Sequence, residues 1–301
     1  MEQAIEMPED LARLFEEAKY VAEPEIVTTV YLALKLEKPL LVEGEPGSGK
    51  TELAKVLAQG LGTELIRLQC YEGLDVNSAI YEWDYLRQLL TIRMREGEGL
   101  REGLEGEIFS ERFLLKRPLL RAILHEGPRP PVLLIDEIDR ADEEFESFLL
   151  EFLGEFQVTI PEVGTFRAKR KPVVIITSNR TRELGDGLRR RCIYLYITYP
   201  SPEKELRILK LKVPNIQERL AQQMIWVVNR IRALSYVTKK PGVAETLDWG
   251  SALLALGLDH LDGEALQSTL SCLVKDADEL LRLRSEDLSR LLGDEFSAAR
   301  R

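Results

Sequence analysis

The chain has 301 residues, 45% of them apolar, which is enough for one large domain or two smaller ones with a buried core. Its 51 acidic residues outnumber its 41 basic residues, and the resulting net charge of −10 disfavours non-specific binding to nucleic acids. The three cysteines are far apart in the sequence and there are only two histidines, which argues against a disulfide framework or a metal cage. The sequence shows no signal peptide pattern and no apolar run near ~18 residues, so we expect a soluble cytoplasmic protein.

Residues 1–38 show the apolar spacing of amphipathic helices. Beyond them come short, nearly continuous apolar runs, and helical patterns lie between several of these: PLLVE (39–43), ELIRLQ (64–69), PVLLIDE (131–137), PVVIITS (172–178) and CIYLYI (192–197). Such runs are typical of strands buried in a parallel sheet. Strands that alternate with helices predict an α/β layer fold.

The pattern changes after residue 200. Ser201 followed by Pro202 and acidic residues is a good helix start. From there to the end no strand-like run occurs, and helical patterns cover most of the chain: 215–237, 245–257 and 263–292. We therefore predict a first domain over 1–200 and an all-α second domain over 201–301.

The segment GEPGSGKT matches the phosphate-binding pattern G-x-x-x-x-G-K-[ST], and it lies between a predicted strand and a predicted helix. Its glycines would let backbone N–H groups surround phosphates, while Lys50 would reach the β- and γ-phosphates and the Thr51 hydroxyl would bind Mg²⁺. An ordinary glycine turn is the less favoured alternative, because every motif position matches. The expected nucleotide-binding residues are Gly44, Glu45, Pro46, Gly47, Ser48, Gly49, Lys50, Thr51 and Glu52.

The apolar run VLLIDE ends in two acidic residues. Alone, such a run is more often a strand that leaves the core. Downstream of a phosphate loop, it indicates that Asp136 holds Mg²⁺, usually through water, and that Glu137 polarises the attacking water.

Two weaker features could complete a hydrolytic site. Asn179, after the run IITS, could donate to the attacking water or the γ-phosphate, although Asn is also common in turns. The run Arg189–Arg191 could supply a guanidinium that stabilises charge during phosphoryl transfer, although charge runs are more often solvated.

These four features, in this order, resemble the AAA+ ATPases, and the helical C-terminal part resembles their lid domain. The resemblance implies a P-loop αβα core with a parallel five-stranded sheet, ATP and Mg²⁺ as ligands, and Glu137 and Asn179 as catalytic residues. Arg190 falls where the family's arginine finger lies, with Arg189 and Arg191 as alternatives. Such a finger acts on ATP in a neighbouring subunit, which implies a homo-oligomer, a hexameric ring.

An insertion over about 70–110 and a hairpin over about 155–172 resemble the helix-2-insert branch of that family. Within the branch, LQCYEGLDVNSAIYEWDY (68–85) resembles MoxR proteins of the subgroup that accompanies carbon-monoxide dehydrogenase genes (CoxD-type). That likeness implies a chaperone-like remodelling factor that helps to assemble a partner enzyme or mature its metal centre, together with a von Willebrand factor A-domain protein.

One departure concerns sensor 2, an arginine that many lids of this family carry. The corresponding segment AETLDWGSA (244–252) has none, and Lys239 or Lys240 would have to substitute.

Three functions stay open at this level. The leading one is ATP-driven remodelling of a protein client, which aromatic residues on the insertion could contact unless they pack within it: Tyr71, Tyr81, Trp83 and Tyr85. A nucleic-acid motor is suggested by the basic run RAKRK (167–171) and disfavoured by the acidic net charge. A slowly hydrolysing, nucleotide-gated switch would fit the missing sensor 2 arginine.

Overall fold

The structure, a computed structural model, describes residues 5–97, 104–287 and 291. These residues fall into two compact units. The first is built mainly from Glu23–Glu43 and Thr51–Tyr196, and the second from Gly44–Lys50 and the chain from Ile197 onward. No helix in the described ranges has the length and apolar character that crossing a membrane requires.

A five-stranded sheet forms the centre of the first unit. Its strands are β1 (Leu40–Gly44), β2 (Leu65–Gln69), β5 (Val132–Asp136), β8 (Val173–Ser178) and β9 (Ile193–Ile197), in the order β2-β5-β8-β1-β9. The pairs β2–β5, β5–β8 and β1–β8 are parallel. Both β1 and β5 are buried at every residue, which is why each is apolar without alternation up to the buried acid near its end, Glu43 in β1 and Asp136 in β5. The fold is the predicted α/β fold, and each strand falls on a predicted apolar run.

The first unit also contains helices, which precede and separate the strands of this sheet along the chain. They are α1 (Pro8–Glu17), α2 (Pro24–Lys35), α3 (Lys50–Leu61), α4 (Val76–Ile80), α5 (Tyr85–Gly97), α6 (Leu104–Ile108), α7 (Pro118–Ile123), α8 (Glu143–Glu155) and α9 (Asp186–Arg191). Helices α7 and α8 share one apolar core with strands β2, β5 and β8, through residues such as Leu119, Leu149 and Phe152. This core fixes the strand ends that carry the polar residues described below.

Two small antiparallel pairs accompany the main sheet. Strand β3 (Tyr81–Trp83) pairs with β4 (Leu114–Lys116), and β6 (Gln157–Ile160) pairs with β7 (Gly164–Arg167), where the sequence predicts a hairpin. Trp83 is buried and makes edge-to-face contacts with Tyr81 and Phe109 at ring-centroid distances of 5.9 and 5.5 Å.

The four aromatic residues of the insertion therefore divide into two groups. Trp83 and Tyr81 pack within the insertion, whereas Tyr71 and Tyr85 are 50% and 64% exposed. The segment 95–107 of the insertion is rich in Gly and Glu; part of it lies outside the described residues, and residues 104–107 belong to α6.

From α10 onward, the described part of the second unit consists of helices joined by loops and contains no strand. Its helices are α10 (Pro202–Lys212), α11 (Glu218–Ala233), α12 (Val243–Ala255), α13 (Gly263–Thr269) and α14 (Ala277–Arg282). Ser201 caps α10 as predicted, accepting from the Lys204 N–H at 3.3 Å. The long helical pattern that begins at 263 is interrupted, because Asp276 caps a new helix by accepting from the N–H groups of Asp278 and Glu279.

Candidate nucleotide-binding site

The phosphate loop connects β1 to α3. Gly47 and Gly49 have φ of 75° and 96°, a left-handed conformation that favours glycine. A Cβ on Gly49 would meet no atom within 4 Å, so this side of the loop opens onto space. The Ser48 hydroxyl is buried and has no hydrogen-bond partner within the described chain. An open glycine face beside an unsatisfied hydroxyl fits a loop that cradles phosphate oxygens.

Lys50 is held by the loop itself. Its Nζ donates to the carbonyl oxygens of Gly44 and Glu45, each at 2.8 Å. The ammonium group is thus fixed at the base of the loop, as a phosphate ligand requires.

Within the second unit, the loop packs on the start of α12. The Val243 N–H donates to the Gly47 carbonyl at 3.0 Å, and the Tyr199 hydroxyl donates to the Pro46 carbonyl at 3.3 Å. Lys240, one of the two proposed sensor 2 substitutes, donates instead to the carbonyl of Leu234. The contact between loop and α12 is therefore made by backbone groups.

Thr51 and Asp136, the two predicted magnesium ligands, lie side by side. The Thr51 hydroxyl donates to Asp136 Oδ1 at 3.1 Å, and the Thr177 hydroxyl donates to the same oxygen. Asp136 is 3% exposed. A carboxylate and a hydroxyl are hard oxygen donors of the kind that Mg²⁺ binds together with substrate phosphates, so the residues fit this ion. A metal site formed by protein side chains alone is not seen among the described residues, which include no cluster of three or more His, Cys, Asp or Glu side chains suited to a metal.

Glu137 and Asn179 also meet at this edge of the sheet. Asn179 Nδ2 lies 3.4 Å from Glu137 Oε1, while Gln69 Nε2 donates to Glu137 Oε2 at 3.1 Å and Arg140 pairs with the same oxygen at 3.0 Å. Glu137 has φ of 57°, which is uncommon for a residue other than glycine. Its N–H donates to the Thr177 hydroxyl at 3.0 Å, which helps to hold this conformation.

Asp139 is a buried residue of this site that the sequence reasoning missed. Its carboxylate accepts from the Asn179 N–H at 3.1 Å and from the Thr181 N–H and hydroxyl at 2.9 and 2.7 Å. Burial opposes ionisation, but these donors hold the pKa of Asp139 below its ordinary value of 3.8. The loop that carries Asn179 is thereby fastened to the segment after β5. In the sequence, Asp139 could have been noticed as the third acidic residue of the run LLIDEID (133–139).

The three arginines of α9 have different surroundings. Arg189 forms an ion pair at 2.9 Å with Glu43, which is 1% exposed, and Arg191 donates to the Leu150 carbonyl. Arg190 is 83% exposed and lies 3.9 Å from Asp186, itself 87% exposed. Arg190 is thus largely solvated, whereas Arg189 and Arg191 bind groups of neighbouring elements.

Sequence reasoning also missed two residues on β2. Arg67 contacts Asp136, and Gln69 contacts Glu137. Both are polar residues on the strand that pairs with β5, with Gln69 opposite Asp136 in the register. Polar residues near the carboxyl end of an otherwise apolar strand were the signal for both.

Comparisons with known proteins show what this chain is similar to. A family model described as "ATPase family associated with various cellular activities (AAA)" matches residues 40–199, more than half of the chain and all five strands of the main sheet. Uncharacterised proteins of Staphylococcus haemolyticus (strain JCSC1435) and Staphylococcus aureus (strain bovine RF122 / ET3-1) are each 26% identical over 206 residues, 66% of this chain and 70% of theirs.

Solved structures also align with the chain. The RuvB Holliday junction branch migration motor of Thermotoga maritima aligns at 20% identity with a TM-score of 0.47, over 83% of this chain and 69% of RuvB. A putative ATPase from Cytophaga hutchinsonii aligns at 17% identity with a TM-score of 0.46, over 89% of this chain and 86% of that protein.

Proposed function

Because the chain belongs to the AAA family of ATPases, we propose that it binds ATP with Mg²⁺ and hydrolyses it to ADP and phosphate at the carboxyl edge of the main sheet. The observation that carries the proposal is the meeting of predicted residues from separate segments. Thr51 lies 3.1 Å from Asp136, and Asn179 lies 3.4 Å from Glu137.

In this proposal each residue has one task. The loop Gly44–Thr51, with Glu52 next to it, surrounds the phosphates, and Lys50 offsets their charge. Thr51 and Asp136 hold Mg²⁺, which supplies Lewis-acid stabilisation of phosphate oxygens when bound. Glu137 accepts a proton from the attacking water, and the Asn179 amide orients that water. Arg190 stabilises charge on the γ-phosphate held by a neighbouring subunit.

The decisive variant is Glu137→Gln. We expect it to bind ATP as wild-type does, because the loop is unchanged, and to hydrolyse ATP at least ~100-fold more slowly, because the base is lost. A fluorescent ATP analogue measures binding, and phosphate release under Mg²⁺ measures turnover. Glu144→Gln, at an exposed acid of α8, is the matched control and should retain wild-type turnover. Normal hydrolysis by Glu137→Gln would contradict the assigned role.

We further propose that this protein is a hexameric, chaperone-like remodelling factor in the cytoplasm, which uses ATP hydrolysis to remodel a protein client. The resemblance to CoxD-type MoxR proteins supports this, as do the exposed Tyr71 and Tyr85, which offer contacts for a protein client. Its partners would be a von Willebrand factor A-domain protein and an enzyme whose metal centre it helps to mature. Co-purification of such a protein, encoded next to this gene, tests the proposal; failure of the two products to associate with ATP present would count against it.

A further inference from the structure

We propose that Arg67 is the resident counter-ion of the magnesium site: its guanidinium neutralises Asp136 while no metal is bound and leaves that position when Mg²⁺ arrives. The inference rests on the proposed function in one respect, the assignment of Asp136 to Mg²⁺. It adds a residue that neither the phosphate loop nor the acidic strand end identifies.

The geometry gives Arg67 the open side of the carboxylate. Asp136 Oδ1 accepts from the Thr51 and Thr177 hydroxyls, and the Thr51 hydroxyl also lies 3.4 Å from Oδ2. Asp136 Oδ2 accepts from Arg67 Nε at 2.9 Å and from Nη2 at 2.5 Å. Arg67 therefore sits at the carboxylate oxygen that the hydroxyl of Thr177 leaves available for a metal or its bound water.

Burial explains why a counter-ion is needed there. Asp136 is 3% exposed, whereas the Arg67 side chain is 51% exposed and reaches inward from β2. A buried carboxylate is unfavourable unless it is paired, because it has lost its hydration. Before Mg²⁺ binds, Arg67 supplies the charge that the metal supplies afterwards.

The two cations compete for this place. One carboxylate cannot offset a guanidinium and a divalent ion together, and two cations within a few ångströms of each other repel. Asp136 is fixed by two hydroxyl groups, while Arg67 is half exposed on a flexible side chain. Arg67 is therefore the partner that moves.

Displacement of Arg67 also affects Glu137, the residue proposed to act as the general base. Arg67 Nη2 also donates to Gln69 Oε1, and Gln69 Nε2 donates to Glu137 Oε2 at 3.1 Å. A continuous chain of hydrogen bonds thus links Asp136 to Glu137 through Arg67 and Gln69. Departure of Arg67 removes one of the contacts that fix Gln69, so metal binding reaches the residue assigned to activate water.

Metal affinity in the absence of nucleotide tests the proposal without any measurement of turnover. The variant is Arg67→Met in the full chain, and the probe is Mn²⁺, whose free ion is counted by electron paramagnetic resonance. We expect Arg67→Met to bind Mn²⁺ at least ~10-fold more tightly than wild-type, because the competing cation is gone. Arg67→Lys keeps the charge and should stay close to wild-type. Asp136→Asn added to Arg67→Met should abolish the gain.

Thermal unfolding gives a second measurement on the same proteins. We expect Arg67→Met to have a lower Tm than wild-type in EDTA and to recover with Mn²⁺, because the ion restores the missing charge. The matched control is Arg121→Met, since Arg121 is 50% exposed and pairs with Glu64 at 2.5 Å away from the site; its Tm should not respond to Mn²⁺.

Equal Mn²⁺ affinity in wild-type and Arg67→Met would overturn the proposal and leave Arg67 as a purely structural partner. So would a gain in affinity that persists with Asp136→Asn. Neither result depends on ATP hydrolysis, so failure here and failure of the Glu137→Gln experiment are distinguishable.

Discussion

Asp139 carries its charge in a place that water barely reaches, 4% exposed, and it is tolerated there because three donors converge on it. The role of Asp139 is structural. It joins the segment after β5 to the loop that carries Asn179, and so keeps the amide near Glu137.

Asp139→Asn should lower the free energy of unfolding by about 2–4 kcal/mol near neutral pH, because an amide cannot accept from all three donors. Since the folded-state pKa lies below 3.8, the carboxylate's stabilising contribution is complete above that value and is lost as pH falls through the lowered pKa. Urea unfolding over a pH series should therefore show the two proteins converging in acid. A difference that stays constant with pH would contradict the ionised role of Asp139.

For single residues, the sequence predicts a place in the candidate site when a local sequence pattern identifies the residue. The places of the loop glycines, Lys50 and the pair Asp136–Glu137 were predictable, because the pattern along the chain puts them after β1, at the start of α3 and at the end of β5; their roles in ATP hydrolysis stay predictions. Arg67, Asp139 and Glu43 were not, since each is defined by a partner 40 or more residues away, as Glu43 is by Arg189.

Among the elements, α9 depends on contacts with its neighbours, because a helix of six residues has little stability of its own. Arg189 ties it to Glu43 in β1, and the Tyr194 hydroxyl donates to the other Glu43 oxygen at 2.9 Å. At its start, Glu146 accepts from the Gly185 N–H at 2.6 Å. These contacts fix the direction in which Arg190 projects.

Glu43→Gln should keep ATP binding, since the phosphate loop is untouched, and reduce ATP hydrolysis ~10-fold or more, because α9 loses its ionic anchor. Destabilisation of about 1–3 kcal/mol is expected, because the buried Glu43 side chain loses the charge that pairs with the partly exposed Arg189. Steady-state turnover and urea unfolding measure the two effects. Asp186→Asn changes only the exposed partner of Arg190 and is the control, with near wild-type values for both. Full turnover in a destabilised Glu43→Gln protein would restrict Glu43 to a structural role.

The elements themselves were predictable to different degrees. The five strands of the main sheet followed from their apolar runs. Strands β1, β5 and β8 are covered on both faces, which leaves little freedom in composition, whereas β2 and β9 have exposed positions and alternate more. The insertion was not resolved into elements by sequence, since β3 and β4 have three residues each and α4 and α6 five. Their pairing depends on contacts across more than 30 residues, as between Tyr81 and Lys116.

For the whole molecule, the exposure of Arg190 bears on assembly. A guanidinium that is 83% exposed, beside an acid that is 87% exposed, gains little from that pair in water. Arg190 is therefore accessible to a group from outside the chain, and in the proposed ring that group would be the ATP of a neighbouring subunit. The ring and the use of Arg190 across its interfaces are thus one hypothesis.

Mixing two inactive variants tests that hypothesis. Lys50→Ala should abolish ATP binding, and Arg190→Ala should bind ATP without hydrolysing it at the wild-type rate. In a mixed ring, an intact phosphate loop meets an intact Arg190 at about one interface in four when subunits combine at random in equal amounts, so about a quarter of wild-type activity should return. Each variant incubated alone is the control, and light scattering establishes that rings have formed. No recovery in demonstrably mixed rings would mean that Arg190 does not act across the subunit interface.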